Sequence, residues 1–226
     1  MFTLLSDFYH YYTSREEYAI LILGLDGAGK STLLESLKHA FPVPSAGGSS
    51  AGDRSALSSR LSRIRPTIGQ SIGRLSLGDT PFVVWDLGGG STLRDLWRRY
   101  YAESHVVIYV MDASTGTRLR ESCEVLEELA RDLATTTTTT MQEDARDGAG
   151  GVQVPILICA NKQDVEGALS IADLKVHLST LVSTLDPTEG GVLGCSALRG
   201  TGLDEVAAWV RTRALRNRES RPPRYR

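Results

Sequence analysis

Gly24-Leu25-Asp26-Gly27-Ala28-Gly29-Lys30-Ser31 is the stretch on which the fold turns. It has the form G-x-x-x-x-G-K-[ST], and its flanks matter as much as its letters. An apolar run, Ile20-Leu21-Ile22-Leu23, leads into it. Residues 31–40 lead out of it as a helix with Leu33, Leu34, Leu37 and Ala40 on one face. Strand, glycine-rich turn and helix N-terminus in that order make a phosphate cradle. The glycines let backbone N–H groups turn inward, and the helix end adds its dipole. Lys30 then reaches the β- and γ-phosphates of a nucleotide, and the Ser31 hydroxyl faces a Mg²⁺ ion. Gly24, Asp26, Gly27, Ala28, Gly29 and Thr32 complete the set assigned to the phosphates.

Further apolar runs follow at Phe82-Val83-Val84-Trp85, Val106-Val107-Ile108-Tyr109-Val110, Ile156-Leu157-Ile158-Cys159-Ala160 and Val192-Leu193-Gly194-Cys195. They read as strands buried on both faces. Helical periodicity separates them, over residues 119–133, 171–185 and 203–215. Residues 70–77 form one more strand. Gly78-Asp79, with Pro81 beyond, turns that strand into the one at 82 as an antiparallel edge hairpin. The pattern specifies an α/β domain: a mostly parallel six-stranded sheet, helices on both faces and one antiparallel edge strand.

The chain has 226 residues, 41% hydrophobic and 23% charged, which excludes wholesale disorder. No apolar run is long enough to span a membrane. Two stretches lack an apolar face, a Ser/Gly/Ala-rich one and one with six consecutive threonines. They read as flexible surface insertions over residues 42–63 and 134–151, within a domain of residues 16–216. Residues 1–15 read as an amphipathic helix, with Leu4, Leu5, Phe8, Tyr9 and Tyr12 on one face. Cys123, Cys159 and Cys195 match neither a disulfide framework nor a metal site and read as reduced thiols. The net charge of −2 combines a basic tail, residues 217–226, with an acidic body, which argues against nucleic acid. The tail itself reads as a solvated terminus.

The nucleotide base is read from Asn161-Lys162-Gln163-Asp164, just after a strand. Asp164 can accept from the N1–H and the exocyclic amine of guanine, an edge on which adenine offers neither donor. A buried acceptor left unpaired rejects the wrong base. Lys162 can lay its stem on the base, and Asn161 can tie this loop to the phosphate loop. Ser196 and Ala197, after the last strand, offer backbone N–H groups to the guanine carbonyl. Between these motifs, Asp86-Leu87-Gly88-Gly89 follows a strand. Asp86 can hold Mg²⁺ through a water, and the Gly89 N–H can bond a γ-phosphate oxygen. Thr67 precedes the hairpin, where a loop ordered by γ-phosphate and Mg²⁺ belongs, and can complete the metal shell.

These residues resemble the Arf branch of Ras-like small GTPases, through Ile22 to Ser31, Pro66-Thr67-Ile68-Gly69, Trp85-Asp86-Leu87-Gly88-Gly89, Leu96-Trp97-Arg98-Arg99-Tyr100-Tyr101 and Asn161-Lys162-Gln163-Asp164. The N-terminal Met-aromatic-Thr-Leu-Leu and the Arg-Pro-Pro-Arg tail resemble the Arf-related subfamily in particular. The resemblance implies a P-loop GTPase fold and a GTP/GDP switch with Mg²⁺. It implies an exchange factor, a GTPase-activating protein, trafficking effectors and a Golgi membrane receptor as partners. It places the protein in the cytoplasm, reversibly on trans-Golgi membranes, through residues 2–12. Three departures stand out. Gly90 occupies the place of the glutamine that orients the attacking water. Gln70 replaces a phenylalanine of an apolar effector patch shared with Trp85 and Tyr100. Phe2 in place of glycine excludes N-myristoylation. Lys30, Thr67, Gly89 and Gly90 are therefore the positions on which turnover depends. A GTP-binding module with little turnover is the alternative that Gly90 raises, and an ATP-using P-loop enzyme the one that Asp164 opposes.

Overall fold

The computed structural model describes residues 16–44, 54–114, 116–143, 154–179 and 190–225. Six strands run in the order β2-β3-β1-β4-β5-β6: β1 Glu16–Leu23, β2 Gln70–Leu77, β3 Thr80–Leu87, β4 Val106–Asp112, β5 Ile156–Asn161 and β6 Gly190–Gly194. β2 pairs antiparallel with β3 at the edge, and every other pair along this path is parallel. This is the sheet read from the apolar runs, although β6 starts two residues and ends one residue earlier than expected.

Successive residues of the central strands point to opposite faces, so each strand serves two cores. On one face Leu21, Leu23, Val83, Trp85 and Tyr109 pack with Leu126, Leu129 and Leu133 of α4, Leu119–Glu143. On the other, Ile20, Ile22, Val84 and Ile108 pack with Leu33, Leu34 and Leu37 of α1, Lys30–Ala40, and with Val206 and Val210 of α6, Leu203–Arg216. The remaining helices are α2 Arg54–Leu61, α3 Arg98–Tyr101 and α5 Ile171–His177. A short 3₁₀ segment, Ser91–Leu96, precedes α3. Ser170 caps α5, its side chain accepting from the Asp173 N–H.

Three features differ from the sequence reading. Helix α2 lies inside the stretch read as a surface insertion, with Arg60 contacting His39 of α1. Helix α4 runs on through the threonines to Glu143. Its first four turns are packed on the sheet, and extending an established helix costs only tenths of a kcal/mol per threonine. Finally, the basic tail is not a solvated terminus. Arg224–Tyr225 forms a seventh strand, β7, antiparallel to Glu16 and Glu17 of β1. The expected N-terminal helix over residues 1–15 lies outside the described residues, as does most of the helix expected to continue α5.

Candidate functional site

β1, β3, β4, β5 and β6 all end along one edge, and the chemistry-bearing residues emerge there, as ligand sites do in open α/β sheets. The turn between β1 and α1 is shaped by glycines that admit no replacement. Gly24 has φ 137°, and a Cβ on it would lie 2.2 Å from the Val110 carbonyl oxygen. A Cβ on Gly29 would lie 2.3 Å from Asn161 Nδ2. Lys30 is buried, and its Nζ donates to the Gly24 and Leu25 carbonyls at 3.0 and 2.9 Å. Burial pulls its pKa below the ordinary lysine value, while the Asp86 charge opposes that shift. A cation held only on neutral carbonyls can exchange them for phosphate oxygens, which carry charge. Asp26 and Gly27 lie exposed on the rim, Ala28 is buried beneath, and Thr32 is half-buried one residue past Ser31.

Ser31, Thr67 and Asp86 come from α1, the loop before β2 and the end of β3, and they meet. Ser31 Oγ lies 2.9 Å from Thr67 Oγ1 and donates to Asp86 Oδ2. Thr67 Oγ1 is 3.4 Å from the same carboxylate oxygen. Asp86 is fully buried, and its Oδ1 has no partner. Burial raises its pKa, against the hydroxyl hydrogen bonds and Lys30. Two hydroxyls on one oxygen of a buried carboxylate whose other oxygen is orphaned make a set of hard oxygen donors of the kind Mg²⁺ takes. The residues present fit that ion.

Gly88, Gly89 and Gly90 follow. Gly88 N–H donates to the Gly69 carbonyl at 2.9 Å, and the Gly88 carbonyl accepts from Trp97 Nε1 at 3.1 Å. Gly89 lies against the phosphate loop so tightly that a Cβ would fall 2.4 Å from the Gly24 carbonyl oxygen. Gly90 is the opposite case. Its backbone is extended, φ −62° and ψ 145°, and a Cβ there meets nothing within 4 Å.

Across the edge, Asn161 is buried and joins three loops. Its Nδ2 donates to the Ala28 carbonyl at 2.8 Å and its Oδ1 accepts from the Ala197 N–H at 2.9 Å. Lys162 has φ 66°, which turns the loop sharply outward. Ser196 Oγ donates to Asp164 Oδ1, so the two base loops are joined by side chains. The N–H groups of Ser196 and Ala197 are held within the protein, by the Thr201 carbonyl and by Asn161. For either to reach a base carbonyl it must share or exchange that bond.

Sequence reasoning missed four charged residues here. Asp112, at the end of β4, pairs with Lys162 Nζ at 2.5 Å. Arg118 donates to the Asp26 carbonyl and carboxylate at 2.9 and 2.8 Å, and to Glu121 at 3.1 Å. The Arg118 hydrogen bond is what holds the Asp26 carboxyl below its usual range. Glu121 also accepts from Arg94 at 2.7 Å, and Arg94 reaches the Gly89 carbonyl at 3.4 Å. None of these has a local spacing that announces it. They are legible only once β4 and α4 sit beside the phosphate loop.

The sequence model of the ADP-ribosylation factor family matches residues 4–46 and 54–214. The ADP-ribosylation factor-related protein 1 of Bos taurus is 41% identical over 226 residues, all of this chain and 98% of its own. The ADP-ribosylation factor-like protein 3 of Saccharomyces cerevisiae is 33% identical, with all of both chains covered. Among solved structures, the Arl6 BBS3 small GTPase of Trypanosoma brucei, with bound GppNp, superposes at TM-score 0.66 and 27% identity, covering 88% of this chain and 98% of that one. The mammalian SRP receptor, at TM-score 0.58 and 20% identity, shares the fold.

Proposed function

Since the chain belongs to the ADP-ribosylation factor family of small GTPases, we propose that it is a GTP switch that hydrolyses GTP slowly and governs protein traffic at Golgi membranes. The observation that carries the nucleotide-switch part of this reading is the meeting of Ser31, Thr67 and Asp86 beside buried Lys30, with Gly89 pressed on the same loop; the Golgi role rests on the resemblance to the Arf-related subfamily. Binding of GTP moves Lys30 Nζ from the Gly24 and Leu25 carbonyls onto the β- and γ-phosphates. Ser31 and Thr67, with Asp86 behind, would hold Mg²⁺, which would supply positive charge to the phosphate oxygens. Thr67 and the Gly89 N–H gain a γ-phosphate to hold only in the GTP state, so the loops around them order with GTP and loosen with GDP. Asp164 selects guanine, and Ser196 fixes that carboxylate by donating to it.

Hydrolysis is an in-line attack by water on the γ-phosphorus, helped by positioning and charge stabilisation. Charge stabilisation is provided by Lys30 and the loop amides. Water positioning is not, because Gly90 has no side chain. Turnover is therefore slow without a GTPase-activating protein, and the second reading, a GTP-dependent binder with negligible turnover, rests on the same residue. Single-turnover hydrolysis of bound GTP, with and without an activating protein, separates the two. Membrane recruitment is reversible and rests on residues 2–12 with a membrane receptor, without an acyl chain. Deleting these residues should leave nucleotide binding intact and release the protein from membranes in cells. Retention on membranes after the deletion refutes that assignment.

A further inference from the structure

The tail beyond α6 folds back onto the body, and its seat is built from both backbone and side chains. β4 begins opposite Ile20, so residues 16–18 of β1 project past it with an open edge on that side. β7 fills the edge, Tyr225 opposite Glu16 and Arg224 opposite Glu17. Three consecutive residues of the turn before β4 then hold the strap. Glu103 pairs with Arg224 NH2 at 2.6 Å. The Ser104 carbonyl accepts from Arg221 NH1 at 2.8 Å. His105 Nε2 donates to the Pro222 carbonyl at 3.0 Å, and its tautomer is fixed because Nδ1 accepts from the Ala19 N–H at 2.9 Å. Arg218 pairs with Glu16, and Pro223 is buried.

What the strap covers gives it meaning. The Arg224 guanidinium carbon lies 5.3 Å over the Trp85 ring, and Trp85 packs on Tyr100 with centroids 5.4 Å apart. Trp85 is only 8% exposed, and the residue after it on β3 is the metal-site candidate Asp86. The hold is also a weak one. β7 is two residues long, and the Arg218 and Arg224 ion pairs are solvent-exposed, hence screened. Arg221 is desolvated, which lowers its pKa, and its buried Nε has no partner, a cost that opposes seating. A segment seated by many small contacts against such a cost is one that can leave.

We propose that residues 218–225 are a releasable strap, which shields Trp85 through Arg224 while seated and uncovers it on leaving the open edge of β1. The vacated seat is then a slot for an extended Arg-Pro-Pro-Arg strand. This goes beyond the switch reading and does not depend on it, since neither readout below requires hydrolysis.

The test uses the full chain. Arg218→Glu with Arg224→Glu places like charges against Glu16 and Glu103 and should eject the strap. Hydroxyl-radical footprinting should then show Trp85 oxidised several-fold faster, with Trp209 unchanged as the internal control. A fluorescent peptide of residues 217–226 should bind this variant saturably, should not bind the wild-type chain, and should lose binding when the peptide carries Arg224→Glu. Glu103→Arg, an exposed single substitution, should raise Trp85 oxidation in its own right and serves if the double variant does not fold. Equal Trp85 oxidation in the wild type and a folded variant overturns the proposal, as does failure of the ejected variant to capture the peptide.

Discussion

Gly90→Gln is the substitution that most directly probes the turnover argument. The backbone at Gly90 is extended, a region open to every residue, and its carbonyl already accepts from the Leu93 N–H at 2.9 Å. A Cβ there meets nothing within 4 Å, so a side chain can start from this position without a clash at its first carbon. The folded state should gain slightly, about 0.4–1 kcal/mol, because the unfolded chain loses glycine's freedom. The catalytic effect is separate. An amide that holds the attacking water in line should lower the barrier by about 1.4 kcal/mol or more, roughly tenfold in rate. The assay is single-turnover hydrolysis of preloaded GTP, with Gly90→Ala alongside. Alanine reproduces the stiffened backbone without the amide. Faster hydrolysis in Gly90→Gln alone supports the account. Equal rates in Gly90→Gln, Gly90→Ala and the wild type would show that another group positions the water.

Other substitutions test the remaining parts of the site. Asp164→Asn removes the charged acceptor and should cost about 2 kcal/mol of GTP affinity, roughly thirtyfold by calorimetry, with no gain for ADP. Ser31→Asn should lower the ratio of GTP to GDP affinity, because the metal contact matters more when a γ-phosphate is present; an unchanged ratio removes Ser31 from the metal shell. His105 is depressed below the ordinary histidine pKa, first by burial and then by Arg221 and Arg224, with the Pro222 carbonyl opposing. Tyr18 stacks edge-on against its ring. A depressed histidine binds fewer protons folded than unfolded, so its contribution is complete above about pH 6.5 and is lost as pH falls below that. The thermal midpoint should therefore drop between pH 7 and 5 more steeply in the wild type than in His105→Gln.

How much of this molecule can be read without coordinates follows from the range of the forces involved. The middle of the sheet is legible because β1, β3, β4 and β5 are buried on both faces: Ile20-Leu21-Ile22-Leu23 must be apolar throughout when alternate residues feed different cores. The phosphate loop is legible because its glycines answer local steric demands, at Gly24 against Val110 and at Gly29 against Asn161. What cannot be read is whatever depends on a partner distant in sequence. Arg118 looks like any helix-start arginine until α4 brings it to Asp26, 92 residues earlier. The tail is the strongest case. Seven arginines in residues 211–226 suggest repulsion and solvent, and no property of Arg-Pro-Pro-Arg taken alone argues for a strand. Its order comes from Glu103, Ser104, His105 and an open length of β1, none of which the composition of the tail can report. The same comparison explains why Gly90 stands out. Gly89 and Gly90 are adjacent and identical in sequence, yet one is sterically obligatory and the other is free. A glycine that packing demands says little about chemistry. A glycine that packing does not demand, beside a phosphate site, leaves room for a side chain, which is why Gly90→Gln is the informative substitution.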